Sequence, residues 1–266
     1  MADGVTSRLL FLCGAAIIAA WLAAAISAPW LAPHDPLASF TPLLPPGSPG
    51  FVLGTDLLGR DILSRLIWGA RPVVTLSLAA TVIAYVVGTA AGLVAGFRGG
   101  RTDSLLSFLS NILLSFPVLV LYLVIIVALG ASAVNVVIAV AVGTTPLVFR
   151  IVRDLARGLA GRDFVTVAVT QGEAEWRILW HDILPNAAPA LVNDFCLRLG
   201  YGVMMVGALG FLGLGLPPPA PDWGGMITDG RALAFAFPYL VLFPCLALVS
   251  LVLALSLVAD NRPGAP

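Results

Sequence analysis

The chain of 266 residues contains no lysine, because its 14 basic residues are all arginines. A phosphate-binding loop of the Walker type needs a lysine that reaches the β- and γ-phosphates. This chain therefore cannot bind ATP through such a loop. If ATP drives the process in which the protein takes part, another subunit binds the nucleotide.

Charged residues are scarce. They make up 11% of the chain, against 59% hydrophobic residues and a mean hydropathy of +1.01. Soluble globular domains usually carry about 25% charged residues. The composition therefore predicts a membrane protein in contact with a lipid bilayer. The formal net charge is zero, so nothing in the composition indicates nucleic acid as a partner.

Cysteine and histidine are also sparse. Cys13, Cys196 and Cys245 lie far apart in apolar segments without a Cys-x-x-Cys pair, and we expect them to be buried structural thiols. The two histidines, His34 and His181, do not have the spacing of metal ligands. An intramembrane hydrolase needs a serine or cysteine near a histidine, and a metalloenzyme needs a set of metal ligands. The chain lacks the residues that either class of enzyme requires.

Six apolar segments are long enough to cross a bilayer, which takes about 20 mostly apolar residues in a helix. They cover approximately Leu9–Leu31, Val73–Phe97, Leu105–Leu129, Val134–Val152, Ala187–Gly210 and Phe237–Val258. We interpret the first as an anchor rather than a cleaved signal peptide, because of its length and the absence of a small-residue cleavage site. Pro117 interrupts the third.

Six crossings leave both termini on the same side of the membrane. Residues 1–31 form the N-terminus and the first span, and residues 259–266 form the C-terminal tail. With a cytoplasmic N-terminus, nine arginines lie in inner segments and four in outer ones, and the positive-inside rule favours this orientation. The five-helix core, residues 73–258, then contains a cytoplasmic segment, 162–186, and an outer loop, 211–231. The inner arginines are Arg8, Arg98, Arg101, Arg150, Arg153, Arg157, Arg162, Arg177 and Arg262; the outer ones are Arg60, Arg65, Arg71 and Arg231.

Residues 32–72 form the first outer loop, which is rich in proline and glycine. Its last part, residues 54–71, mixes apolar and charged side chains and predicts an amphipathic helix lying at the membrane interface. We expect Asp56, Arg60 and Asp61 to tie this loop together rather than to bind a ligand.

The second span contains Gly88, Gly92 and Gly96 at four-residue spacing. Small residues at this spacing let helix backbones approach closely in lipid. We expect them to pack against another helix of the same chain rather than to form a dimer contact.

The longest stretch with regularly placed charges is residues 162–186. Around Gly172, which favours the left-handed conformation that ends a helix, we predict two short amphipathic helices. The second begins near Glu173 and Glu175, carries apolar side chains at helical spacing, and ends at Pro185. On the aqueous side of a membrane protein, such an element is suited to dock onto a partner.

Asp194 and Arg198 stand about one helical turn apart inside the otherwise apolar fifth span. Charged residues in a span normally face protein or a water-filled cavity. Two interpretations stay open. The pair either neutralises itself against a neighbouring helix, or it lines a translocation path together with Asn193.

Three stretches together resemble the permease subunits of bacterial ATP-binding-cassette importers, in the dipeptide, oligopeptide and nickel branch. They are residues 54–71 (GTDLLGRDILSRLIWGAR), residues 162–186 (RDFVTVAVTQGEAEWRILWHDILPN) and residues 211–231 (FLGLGLPPPAPDWGGMITDGR). The resemblance covers roughly residues 9–258. It implies an all-α polytopic membrane protein with six transmembrane helices, of the type I importer permease fold, with both termini in the cytoplasm.

The resemblance also implies a role for residues 162–186. In the family, a short cytoplasmic helix, here at Asp163–Gln171, inserts into a groove of an ATPase and passes the closure of the ATPases on to the membrane helices. The residues expected to couple in this way are Asp163, Phe164, Val167, Ala168, Gln171, Gly172, Glu173 and Trp176. Where the family has Glu-Ala-Ala, this chain has Thr166, Val167 and Ala168, so only the last alanine is kept and the glutamate for a charge contact is missing.

The resemblance further implies four kinds of partner in the bacterial inner membrane and beside it: a second, related permease, two ATP-binding subunits, an extracytoplasmic substrate-binding protein and the lipid bilayer. ATP and Mg²⁺ then belong to the ATPase subunits, and this chain is expected to have neither a cofactor nor catalytic activity. The expected cargo is a di- or oligopeptide. The alternatives are the same importer type with nickel or another small solute, and a secondary transporter without an ATPase. No internal repeat favours the secondary transporter.

Overall fold

The computed structural model describes residues 2–261, with side chains from Thr6 onward, and this part of the chain is mostly α-helical. Residues 262–266 of the predicted tail, including Arg262, lie outside the described residues. The helices are α1 (Ala2–Leu31), α2 (Ile62–Arg98), α3 (Gly100–Ser115), α4 (Val118–Leu129), α5 (Ala133–Ala160), α6 (Asp163–Thr170), α7 (Glu175–Arg177), α8 (Leu184–Phe211), α9 (Trp223–Gly230) and α10 (Tyr239–Asp260).

Five stretches of the described residues are helical, long and apolar enough to cross a membrane: α1, α2, α5, the run from α7 through α8, and α10. The remaining predicted span, which is the third in chain order, is broken, since α3 and α4 meet at 89°. Pro117 explains the break. A residue before proline is driven out of the helical conformation, and Phe116 is extended, with ψ at 138°.

The contact between α2 and α5 is made by the three glycines of α2. A Cβ atom built on Gly92 would lie 2.8 Å from the Cβ of Val152 and 2.9 Å from the carbonyl oxygen of Phe149. Gly88 and Gly96 meet α5 one turn to either side. The prediction that this glycine stripe serves packing within the chain is therefore confirmed.

Helices α2 and α5 run in the same direction, because successive glycines of α2 meet successively later residues of α5. Two parallel neighbours require the chain between them to return across the bundle. The bent pair α3–α4 makes this return, as its contacts with α5 run in the opposite order along the chain. These contacts are Asp103 with Arg153, Ser110 with Pro146, Tyr122 with Gly143, and Leu129 with Asn135. The helices therefore make six crossings.

The remaining long helices alternate in direction. Helix α8 is antiparallel to α2, α10 is antiparallel to α8, and α1 is antiparallel to α10. The pairs that define these directions are Thr81–Gly202 and Tyr85–Leu191, Gly207–Leu248 and Gly200–Leu255, and Trp21–Ser250 and Gly14–Leu257. The first turns of α1, the last turn of α10 and helix α6 thus lie at one end of the bundle, called the coupling end below. Residues 32–61 and α9 lie at the other end, the loop end.

The interfacial helix expected within residues 54–71 is not a separate element. Residues 54–61 form turns, and from Ile62 onward the chain is already α2, which continues without a break past Pro72. The buried side chains of Ile62, Leu66 and Val73 explain this correction, because they continue the face by which α2 packs on the core. The predicted boundary near residue 72 therefore falls inside a helix.

Charged side chains tie the loop end together. The guanidinium of Arg60 donates to Asp56 at 2.7 Å and to Asp229 of α9 at 3.3 Å. Asp61 caps α2 by accepting from the backbone N–H of Ser64 at 3.1 Å. These contacts agree with the expectation that Asp56, Arg60 and Asp61 tie the loop.

Trp223 joins α9 to α2, because its buried indole Nε1 donates to the carbonyl oxygen of Leu66 at 2.8 Å. Asp222 begins α9 by accepting from the N–H of Gly225 at 3.0 Å. Burial raises the pKa of the Asp222 carboxyl, and the N–H groups of Gly225 and Gly224 oppose the shift.

The expectation that the cysteines are buried is wrong. Cys13 is exposed, and Cys196 and Cys245 are half-buried. For Cys13 the reason is that α1 packs mainly against α2 and α10, so that most of its surface is not covered by other helices of the chain.

We predict that Gly92→Ala lowers the thermal unfolding temperature of the detergent-purified protein. The added methyl group overlaps Val152 and the backbone of α5, and overpacking of this kind typically costs about 1–3 kcal/mol. The matched control is Gly158→Ala, since a Cβ at Gly158 meets no atom within 4 Å. An unchanged unfolding temperature for Gly92→Ala would contradict the close contact.

Candidate coupling site and membrane path

Gly172 ends α6 in the conformation expected from the sequence. Its φ of +75° is left-handed, which costs glycine little because it has no Cβ. The N–H of Glu173 donates to the carbonyl oxygen of Ala168 at 3.1 Å, and that of Gly172 to Val169 at 3.1 Å. This pair of bonds is a Schellman motif, which satisfies the last carbonyl groups of a helix and fixes the direction in which the chain leaves α6.

Helix α6 has a buried face and an outer face. Val165 and Ala168 are buried, whereas Phe164 and Val167 are exposed. The buried face packs against an apolar cluster that is formed by α2, α5, α8 and residues 178–183. Its other buried members are Leu93, Val148, Val152, Ala156, Ile178, Leu179, Ile183, Ala187 and Leu191. Helix α6 is therefore seated on the bundle with one face turned outward.

The eight residues that were expected to couple the permease to the ATPase differ in their exposure. Ala168 points into the bundle, so it can support a docking surface only from behind. Asp163, Phe164, Val167, Gln171, Gly172 and Trp176 are exposed, Glu173 is half-buried and Ala168 is buried.

The predicted end of the second short helix at Pro185 is wrong. After α7, residues Ile178–Ile183 form a π-helical turn, and the chain continues directly into α8. Pro185 lies in the first turn of α8, where the missing N–H of proline does least harm. The helix from Glu175 to Phe211 is therefore continuous over 37 residues, and the coupling end joins a membrane crossing without a flexible joint.

An ion pair that the sequence reasoning missed holds the start of this helix. Arg98, the last residue of α2, donates from Nε and Nη2 to the two carboxylate oxygens of Glu175 at 2.6 and 2.9 Å. The residues are 77 positions apart, so no local spacing indicated the contact. Such two-point geometry is the strong form of an arginine–carboxylate contact. Helix α2 is thereby tied to residues 163–177, called the coupling element below.

The charged pair in α8 has a third member on α2. Nε of Arg198 lies 3.2 Å from a carboxylate oxygen of Asp194. The hydroxyl of Tyr85 donates to the other carboxylate oxygen at 2.5 Å. Asp194 therefore contacts a neighbouring helix, and both interpretations of the pair stay open. Asn193 is half-buried, and its Oδ1 has no donor among the described residues.

Arg198 also faces a cavity of about 420 Å³ between the α3–α4 break, α5 and α8. Of the three residues predicted to line a path, it is the one that contributes to this wall. The other residues that line the cavity are Leu113, Leu114, Phe116, Val118, Leu121, Tyr122, Gly143, Thr144, Leu147, Tyr201, Met204 and Met205. The described residues contain no group of three or more His, Cys, Asp or Glu side chains suited to a metal ion.

Six crossings, a short helix seated on one end of the bundle and a cavity beside a broken span point to a class of protein, the multi-pass membrane permeases. The family of binding-protein-dependent transport system inner membrane components matches residues 88–261. The chain belongs to this family and is a multi-pass protein of the bacterial inner membrane. The resemblance found in the sequence is thereby confirmed.

Several known permeases are similar in sequence to most of this chain. The di/tripeptide transport system permease protein DppC of Pseudomonas aeruginosa is 38% identical over 89% of this chain and 80% of its own length. The dipeptide transport system permease protein DppC of Haemophilus influenzae is 36% identical over 89% and 82%. The glutathione transport system permease protein GsiD of Pectobacterium atrosepticum is 34% identical over 79% and 69%.

A solved structure shares the fold. The inward-facing MetNI methionine ABC transporter superposes with a TM-score of 0.59 and 20% sequence identity, over 74% of this chain and 93% of that chain. The type I importer permease fold expected from the sequence is therefore confirmed.

We predict that Arg98→Glu and Glu175→Arg each increase amide hydrogen exchange in residues 163–177. Each single variant places like charges opposite one another and releases the coupling element from α2. The double variant restores opposite charges and is expected to return exchange toward the wild-type level. If exchange is equal in all four proteins, the ion pair does not hold the element in place.

Proposed function

We propose that this chain is one of two permease subunits of an ATP-driven importer of di- and oligopeptides. The relatives named for dipeptide, di/tripeptide and glutathione transport support this cargo class. The observation that carries the proposal is the arrangement at the coupling end: α6 has a fixed, exposed apolar face, and the chain after it enters α8 as a continuous helix.

In this proposal the outer face of α6 docks into a groove of an ATP-binding subunit. Phe164 and Val167 supply the apolar contact, and Val165 and Ala168 seat the helix on the bundle. Closure of the ATPases on ATP displaces α6, and the seated face passes the displacement to the helices beneath it. Apolar contact replaces the glutamate contact of the family, since Thr166 stands where the glutamate would be.

The displacement reaches the membrane by two routes. One is the continuous helix from Glu175 to Phe211, and the other is the Arg98–Glu175 ion pair, which engages α2. Both helices carry members of the group formed by Tyr85, Asp194 and Arg198. A push at the coupling end therefore changes the walls beside the cavity, and the second permease supplies the opposite wall of the path.

The coupling end is cytoplasmic in this proposal. Among the described residues, eight arginines that were assigned to inner segments lie toward this end. The four arginines that were assigned to outer segments lie toward the loop end. This distribution agrees with the positive-inside rule. The loop end then faces the substrate-binding protein. ATP and Mg²⁺ belong to the ATPase subunits, and this chain works without catalysing a reaction.

The proposal is tested by purifying the tagged chain from its native membrane and measuring ATPase activity. We expect a second permease and two ATP-binding subunits to copurify, and ATP hydrolysis to rise when the binding protein and a peptide are added. The ligand that copurifies with the binding protein identifies the cargo. Isolation of the chain alone, with solute uptake driven by an ion gradient, would instead support a secondary transporter.

We predict that Val167→Asp abolishes copurification of the ATP-binding subunits while the permease still folds. A carboxylate on the exposed face of α6 disrupts an apolar contact without entering the core. Val52→Asp is the matched control, because Val52 is similarly exposed at the loop end. Retention of the ATPases by Val167→Asp at the wild-type ratio would exclude this face as the docking surface.

A further inference from the structure

Arg198 is a charged residue at the midpoint of α8, in the middle of a membrane crossing. Its position in a span is costly unless it serves packing or a path. Asp194 neutralises it, and neutralisation alone would not require the guanidinium to face a cavity. The side chain nevertheless forms part of the wall of the cavity of about 420 Å³.

The two charges of the pair have different surroundings. Asp194 accepts from Tyr85 of α2 and from Nε of Arg198, so its carboxylate is held between the two helices. The described contacts of Arg198 with Asp194 both use Nε. The planar guanidinium carries further N–H donors on Nη1 and Nη2, in a geometry that matches a carboxylate. The cavity therefore receives positive charge from Arg198, with the compensating carboxylate behind it.

The remaining cavity wall suits a small peptide. Tyr122, Thr144 and Tyr201 contribute hydroxyl groups, and leucine, methionine, valine and phenylalanine side chains supply most of the rest. A volume of about 420 Å³ lies within the range of about 300–1,000 Å³ that is usual for small-molecule sites. An apolar wall with one cationic group is complementary to apolar side chains that end in a carboxylate.

We infer that Arg198 is a transient binding site for the C-terminal carboxylate of the transported peptide, and that Asp194 serves only to balance its charge. The inference rests on the proposed function and assigns the substrate group that this site receives. Because Asp194 already balances the charge of Arg198, the bound carboxylate gains less than it would at an isolated arginine. Weak binding suits a transport path, in which a solute must leave the site as readily as it enters.

The alternative is that Arg198 only neutralises Asp194, and a pair of variants separates the two roles. Arg198→Gln removes the cation but leaves Asp194 unpaired, so a loss of transport by this variant fits either role. The double variant Arg198→Gln with Asp194→Asn removes both charges and keeps a neutral polar amide at each position. Asp194→Asn alone keeps the cation and serves as the matched control.

The experiment measures uptake of radiolabelled trialanine by the complete importer in proteoliposomes, with its binding protein and ATP. We expect the double variant to assemble and to retain ATPase activity stimulated by the binding protein, while trialanine uptake falls about tenfold or more. Asp194→Asn is expected to keep uptake within about threefold of wild type.

Wild-type uptake by the double variant would overturn the inference and leave neutralisation of Asp194 as the role of Arg198. Equal, large losses in the double variant and in Asp194→Asn would also overturn it, since the cation would then not be the deciding group. Neither result touches the proposed function. That proposal fails by a different result, namely the absence of ATP-dependent trialanine uptake by the wild-type importer.

Discussion

The close contact between α2 and α5 is the constraint on which the rest of the structure depends. Within lipid, helices gain little from the hydrophobic effect and associate mainly through van der Waals packing and polar contacts. Three glycines allow α2 to approach α5 in parallel. Parallel neighbours require a return crossing between them, and the bent pair α3–α4 provides it. Arg98, at the end of α2, lies beside Glu175 of the coupling element.

The second organising feature is the continuity of α7, the π-helical turn and α8. A π-helical turn inside an α-helix is rare and is often found at functional sites. Here it carries the chain past Pro185 without an end to the helix. Glu175 and Arg198 therefore lie on one helix, about 35 Å apart at a rise of 1.5 Å per residue. This helix connects Glu175, which follows the proposed ATPase contact on α6, with the cavity in the middle of the membrane crossings.

The sequence predicted the elements that depend on the composition of a long segment, on the spacing of residues or on the backbone preference of a single residue. Six apolar segments, the glycine stripe and the left-handed turn at Gly172 follow from composition, spacing and backbone preference, and the structure contains each of them. The predictions at Pro185 and within residues 54–71 were wrong, because helix continuity there is decided by tertiary packing. The contacts of Arg98 with Glu175 and of Tyr85 with Asp194 were missed, since each joins residues that only the packed bundle brings together. The cavity beside Arg198 likewise depends on the 89° break, whose angle a single proline does not specify.

The break between α3 and α4 also bears on how the protein enters the membrane. At 1.5 Å per residue, the 16 residues of α3 extend about 24 Å and the 12 residues of α4 about 18 Å. Either length is short of a hydrocarbon core about 30 Å thick. Asp103 and Ser110 of α3 find their partners on α5. The third crossing therefore contains polar side chains whose partners belong to a helix that is synthesised after it.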